Sequence, residues 1–166
     1  MGAEGDRVAK RMQRGCRCFA AEIGAEIVGY GWVSMAAEWI GETQTEIRPA
    51  RGEAYIWNCV TLPAYRQKGV FRALLRAINS QLKGDGLSRV WIGSLVDPAE
   101  KAIGGAGFVP VMRLDATSRW GFRWLTVRPA YKADPQLIPA ASLALRSRGV
   151  PFGSGFYLRW AEGRRH

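Results

Sequence analysis

The sequence predicts a mixed, mostly antiparallel α/β fold with helices flanking the sheet, and three observations lead there. Residues 53 to 62, EAYIWNCVTL, are apolar on both faces of an alternating pattern, as expected of a central strand. Beyond Pro63, Val70, Phe71, Leu74, Leu75, Ile78 and Leu82 recur at helical spacing, which marks an amphipathic helix able to pack back on that strand. The chain has 166 residues, of which 48% are apolar, enough to fill one core.

The remaining elements follow in order. DRVAKRMQRG, residues 6 to 15, reads as a short basic helix stopped by Gly15. CRCFAAEI and EIVGYGWVSM, residues 16 to 23 and 26 to 35, form a β-hairpin about Gly24-Ala25. Gly29 and Gly31 weaken the second strand's own propensity and mark a close backbone approach. Ala36 to Gly52 is a loop with room for an extra strand. In the central strand, strict alternation puts Tyr55, Trp57, Cys59 and Thr61 on one face, with Ile56, Asn58, Val60 and Leu62 on the other.

SRVWIGSL, residues 88 to 95, gives the next strand, and Asp97-Pro98-Ala99-Glu100 starts a short helix with an Asp cap and an early proline. Phe108 to Leu114 reads as a strand. Arg119 to Arg128 reads as a last strand that completes the sheet, with Trp120, Phe122 and Trp124 on one face. A helix near Leu137 to Arg146, a turn at Gly149 to Gly155, an apolar run at Phe156 to Leu158 and a basic tail from Arg159 to Arg165 finish the chain.

The formal charge is +10, so anions are attracted over the whole surface. Three cysteines, Cys16, Cys18 and Cys59, make an odd set in which Cys16-x-Cys18 lies along one strand, an arrangement that does not bridge easily. A reduced, cytoplasmic setting is expected. No run of eighteen apolar residues and no apolar leader region is present, so no membrane span, signal peptide or membrane partner is expected. The single histidine, His166, excludes a histidine triad and a metal site built on histidines, and no metal is expected.

Between the central strand and its helix lies Tyr65-Arg66-Gln67-Lys68-Gly69-Val70-Phe71-Arg72. A strand, a basic turn with a glycine, and a helix start aim backbone N–H groups and a positive helix end at one point, which suits a phosphorylated ligand. This stretch, within LPAYRQKGVFRALL, resembles the (R/Q)-x-x-G-x-(G/A) turn of the GNAT N-acyltransferase superfamily, with Arg66 and Gly69 in register. GGAGFVPV is similar to that family's Gly-Phe junction between its last helix and the next strand. The resemblance runs from about Cys16 to Arg128 and implies a GNAT-like domain over residues 1–128, with 129–166 as a C-terminal extension packed on it.

The resemblance further implies an N-acyltransferase that moves an acetyl or other acyl group from acyl-CoA to a primary amine of a small molecule or protein. Backbone groups of Val60, Thr61 and Leu62 would hold the pantetheine arm. The N–H groups of Gln67, Lys68, Gly69, Val70, Phe71 and Arg72 would hold the phosphates, with charge from Arg66, Lys68 and Arg72. Acetyl-CoA or another acyl-CoA is then a co-substrate, and the partner is an amine-bearing acceptor met by a monomer or homodimer.

Three positions depart from the family's pattern. Phe71 stands where Gly or Ala is usual. The tyrosine that commonly serves as general acid falls on Ile103, and the asparagine before it on Val96. About fifteen residues precede Cys16, where the family has a strand and two helices, so the N-terminal elements are shortened.

Glu53 is the candidate general base if its aromatic neighbours raise its pKa, and otherwise a strand-end carboxylate paired with a cation. Glu38 and Glu42 compete with it. Cys59 is either an acyl-carrying nucleophile or a small core residue. Tyr30, Tyr131 and Tyr157 are alternative proton donors. A catalytically degenerate acyl-CoA sensor or scaffold is the second reading, favoured by Ile103 and Val96. A nucleic-acid binder using the aromatic and arginine-rich strand 119–128 ranks third, since no nucleic-acid motif accompanies the charge.

Overall fold

A computed structural model describes residues 3–41, 43, 45–94, 97–119, 122–145 and 157–160. Glu42, Val96, Trp120, the Gly149–Gly155 turn and the tail beyond Trp160 therefore lie outside the described residues. The chain packs as two compact units, Met1–Glu38 with Pro49–Phe108, and Trp39–Arg48 with Val109–His166.

In the first unit, helix α1 (Ala3–Gln13) leads into the hairpin β1 (Arg17–Ile23) and β2 (Glu26–Ser34). Strand β5 (Glu53–Thr61) pairs antiparallel with β2 and parallel with β6 (Arg89–Ile92), which gives the sheet order β1-β2-β5-β6. The parallel pair needs a crossover. It is supplied by a single turn at Pro63–Tyr65 and helix α2 (Val70–Gly84). Helix α3 (Asp97–Gly105) follows β6.

The core lies between one face of this sheet and α2. Val33, Ala54 and Ile56 meet Leu74, Leu75, Ile78 and Leu82, all of them buried. Burying side chains of this size stabilises the fold by about 1.5–3 kcal/mol each relative to exposure, so β5 and α2 are the anchor of the unit. Asp85 and Gly86 close α2, and Asp85 ties back to Arg17 on β1 through an ion pair.

In the second unit, the segment expected as a loop with room for an extra strand forms two short paired strands, β3 (Glu38–Ile40), whose first residue belongs to the first unit, and β4 (Thr45–Ile47). The C-terminal strands fall later than their sequence pattern suggests. β7 (Met112–Arg119) and β8 (Phe122–Pro129) form a hairpin, and β9 (Tyr157–Trp160) pairs with β8 to give a separate three-stranded sheet. The strand expected to complete the main sheet thus belongs to this second one. Helix α4 (Ile138–Ala144) lies between β8 and β9 in sequence.

Candidate functional site

The site begins with an irregularity in β5. Trp32 pairs with Trp57, but Tyr30 pairs with Val60, so Gly31 alone faces both Asn58 and Cys59. This is a β-bulge, and Asn58 adopts φ 45° within it. The extra residue reverses the alternation. Cys59, expected on the face of Trp57, instead packs against the α2 core with Ile56. Gly31 makes the bulge sterically feasible, because a Cβ there would stand 2.9 Å from Cys59 Sγ.

Pairing between β5 and β6 ends at Ile56 with Ile92, whereas β5 continues through Trp57, Asn58, Cys59 and Val60 to Thr61. Among the described residues, the edge of Trp57–Thr61 turned away from β2 carries no strand. Leu62 donates its N–H to the Val28 carbonyl at 2.9 Å. By antiparallel alternation Thr61 then points its N–H and C=O to the open edge. Its carbonyl already accepts from Arg66 Nε at 3.2 Å, which leaves the N–H for a ligand. Leu62, expected to offer its N–H, is spent inside the sheet.

Past this edge the chain enters the basic turn. Gln67 and Gly69 have φ 60° and 82°, and no side chain caps α2, whose N-cap is Gly69. Among the described residues, the N–H groups of Gln67 to Arg72 have no hydrogen-bond acceptor, an arrangement at a positive helix end that suits an anion. The turn is held from outside, with the Tyr65 hydroxyl donating to Glu26 at 2.7 Å and Lys68 standing 5.3 Å from the Tyr65 ring. Phe71 turns into the core, so the bulky residue at this position leaves the backbone accessible. Across from it, Arg76 donates to the Gly105 carbonyl at 2.7 Å, placing a cation at the C-terminal end of α3.

Glu53 does not meet the requirement for a base. Its carboxylate is 4% exposed, pairs with Arg89, and accepts from Trp91 Nε1 at 2.7 Å and from the Ala50 N–H at 3.2 Å. Burial pushes its pKa up, but the bonds from Trp91, Ala50 and Arg89 outweigh it and hold the group below its ordinary value. Of the two readings of Glu53, the raised pKa is not met, and the pairing with a cation is, with Arg89 as that cation. The aromatic neighbour donates a hydrogen bond rather than only excluding water, and the carboxylate is a buried anchor rather than a solvated strand end. Glu38 is also buried, paired with Arg14 and 3.5 Å from Cys16 Sγ.

Burial pushes the Cys59 thiol up to about 12, which keeps it protonated and unsuited to carry an acyl group. Ile103 packs against the core. Tyr131 is 86% exposed and lies in the second unit. One tyrosine was overlooked by pattern reading. Tyr55 is buried, and a Cβ on Gly93, the residue following β6, would be 3.5 Å from its hydroxyl. The only sequence signal was its place in the central strand, which reads as core.

On the face of the sheet opposite α2, Trp32 and Trp57 lie side by side with ring centroids 6.4 Å apart. The Arg11 guanidinium carbon of α1 is 5.0 Å and 4.6 Å from those two centroids. With its amide oxygen turned toward Arg11, Asn58 accepts from Nη1 at 2.8 Å and Nη2 at 3.1 Å.

The profile of the Acetyltransferase (GNAT) family matches residues 3–104. No curated protein sequence matches the chain. Among solved structures, a putative acetyltransferase from Agrobacterium tumefaciens str. C58 is similar at 22% identity and a TM-score of 0.51, covering 66% of this chain and 73% of that one. AAC(6′)-Iy in complex with the bisubstrate analogue CoA-S-monomethyl-acetylneamine is similar at 15% identity and 0.53, over 70% and 80%. An aminoglycoside acetyltransferase from an uncultured soil metagenomic sample, in complex with sisomicin, is similar at 15% identity and 0.50, over 72% and 77%. The profile spans more than half of the chain, from α1 through the bulged strand and the basic turn to α3, and the chain belongs to the GNAT acetyltransferase family.

Proposed function

We propose that this protein transfers an acetyl or similar acyl group from acyl-CoA to a primary amine. One observation carries the reading: the open edge Trp57–Thr61 runs directly into an uncapped helix start whose N–H groups are free from Gln67 to Arg72. An arm with amide groups laid along the edge and a pyrophosphate at the turn match these two features in that order. The residues fit an acyl-CoA, which supplies the thioester to be attacked.

The chain's own groups divide the work. Thr61 N–H lines up the arm, and the turn with Arg66, Lys68 and Arg72 holds the diphosphate. Val60, expected from the sequence to contact the arm, turns its N–H and C=O toward Tyr30 on β2, so orienting the carbonyl falls to the open-edge N–H of Thr61. As the amine nitrogen bonds to the acyl carbon and the carbon–sulfur bond breaks, the leaving thiolate takes up a proton, and Tyr55, whose hydroxyl lies beside Gly93 just past the last β5–β6 pair, is the candidate donor. Glu53 is locked by three donors, so deprotonation of the ammonium passes to water. The similar fold of structures solved with a CoA conjugate and with an aminoglycoside supports a small-molecule acceptor.

The test is CoA binding by calorimetry together with thiol release from acetyl-CoA across an amine panel. Binding accompanied by amine-dependent thiol release is the expected result. Binding with no release on any amine would favour the sensor or scaffold reading, consistent with the apolar Ile103. Absence of binding would end both.

A further inference from the structure

On the face of the split opposite α2, two hydrogen-bond donors lack the partner their surroundings call for. The Trp57 indole N–H is buried and has no acceptor. Such groups are rare in folded proteins and mark a cost that an incoming acceptor removes. Beside it, Arg11 stacks over Trp32 and Trp57 and gives two N–H groups to Asn58. Of its five donors three remain, and among the described residues no carboxylate pairs with it. Arg14, one turn along, differs in that Glu38 neutralises it.

The position of this pair matters as much as its chemistry. Trp57 is the first residue of β5 beyond its last pair with β6, and Asn58 is the bulge itself. The cluster therefore borders the opening of the split on the side away from the helix whose start forms the basic turn. α1 also brings Lys10 to the same short helix. Aminoglycosides, which are polycations, would meet like charge here.

We propose that Arg11 and Trp57 form an anion subsite on the acceptor side, and that the amine this protein acylates carries a carboxylate. The inference rests on the acyl-transfer reading and narrows its acceptor. A planar guanidinium matches a carboxylate in two-point geometry, and the indole N–H adds a third donor. The two tryptophan faces and Asn58 hold the guanidinium in place before the ligand arrives, so little side-chain freedom is lost on binding.

The experiment uses the full chain with saturating acetyl-CoA and matched pairs of amines, each an amino acid and its primary amide, following thiol release. In the wild type the acid of a pair is expected to exceed its amide in kcat/KM by about 10-fold or more, as a site built to bond one group discriminates against its absence. Arg11→Gln and Trp57→Phe should each raise KM for the acid by about 10-fold and bring the acid-to-amide ratio toward one. KM for acetyl-CoA should stay unchanged in both. Arg11→Lys keeps charge without the planar fork, so it should retain only part of the preference.

Equal or better turnover of amides by the wild type would overturn the subsite. So would an equal loss on both members of each pair in Arg11→Gln and Trp57→Phe. CoA binding without acylation of any pair member would also overturn it. Calorimetry separates these outcomes from failure of the underlying reading, which would appear as no CoA binding at all. Thermal unfolding of the three variants identifies any that do not fold, and the two substitutions on different elements keep the outcome decisive.

Discussion

Gly31 lies opposite the Asn58–Cys59 bulge, and a Cβ added to it would come within 2.9 Å of Cys59 Sγ. The sulfur is packed among Leu74 and Ile78 side chains that a Cβ would also approach, at 3.6 and 3.5 Å, so it has little room to retreat. Gly31→Ala is expected to destabilise the fold by about 1–3 kcal/mol, the usual cost of overpacking. It should also raise KM for acyl-CoA, because the bulge sets the open edge. Urea unfolding and steady-state kinetics check both. A stable variant with unchanged KM would disconnect the bulge from donor binding.

Glu53→Gln is expected to cost about 2 kcal/mol at neutral pH, since hydrogen bonds to a buried charge are lost and Arg89 is left without its counter-ion. The folded carboxyl sits below its ordinary value of 4.5. Its stabilising contribution is therefore complete above pH 4.5 and lost as pH falls through the lower folded value. The gap between wild type and variant should close in that acid range. The pH profile of turnover near neutrality should keep its shape, and a displaced limb would restore Glu53 as the base.

Cys59 should be dispensable for chemistry. With its thiol pushed up to about 12, only about one molecule in ten thousand carries the thiolate at pH 8. Iodoacetamide is expected to modify the exposed Cys18 and spare Cys59 in the native protein. Cys59→Ala should retain amine-dependent thiol release. Loss of release in a folded variant would point to an acyl-enzyme.

Gly69→Val should weaken CoA binding by about 10-fold or more, because a β-branched residue at φ 82° is strained and the turn's backbone is the contact. Lys68→Ala should cost only about 2- to 3-fold, as an exposed point charge contributes modestly. Calorimetry with CoA compares them. Equal effects would move the ligand from the backbone to the side chains.

Most of the scaffold was legible in the amino-acid order, because it follows from local periodicity. The apolar run 53–62, the spacing Leu74, Leu75, Ile78 and Leu82, and the glycine of the basic turn each declare strand, helix and turn without reference to distant residues. The family follows from the same stretch. The C-terminal strands were misplaced because the aromatic and arginine alternation near Arg119 does not reveal which strand it pairs with.

What only the tertiary structure decided is the chemistry on either side of the central strand. A bulge is a mismatch between two strands, so no pattern within β5 announces that Asn58 is extra or that Cys59 crosses to the α2 face. Sequence leaves Glu53 open between a base and a cation-paired carboxylate, and Arg89 and Trp91 from the neighbouring strand take both of its oxygens. Arg11, an ordinary helix arginine in sequence, lies across Trp32 and Trp57 only because the fold brings α1 over the sheet. Sequence periodicity determines which face of an element is apolar. Protonation states and free donors depend on partners far away in the chain, and those are set only when the strands pair.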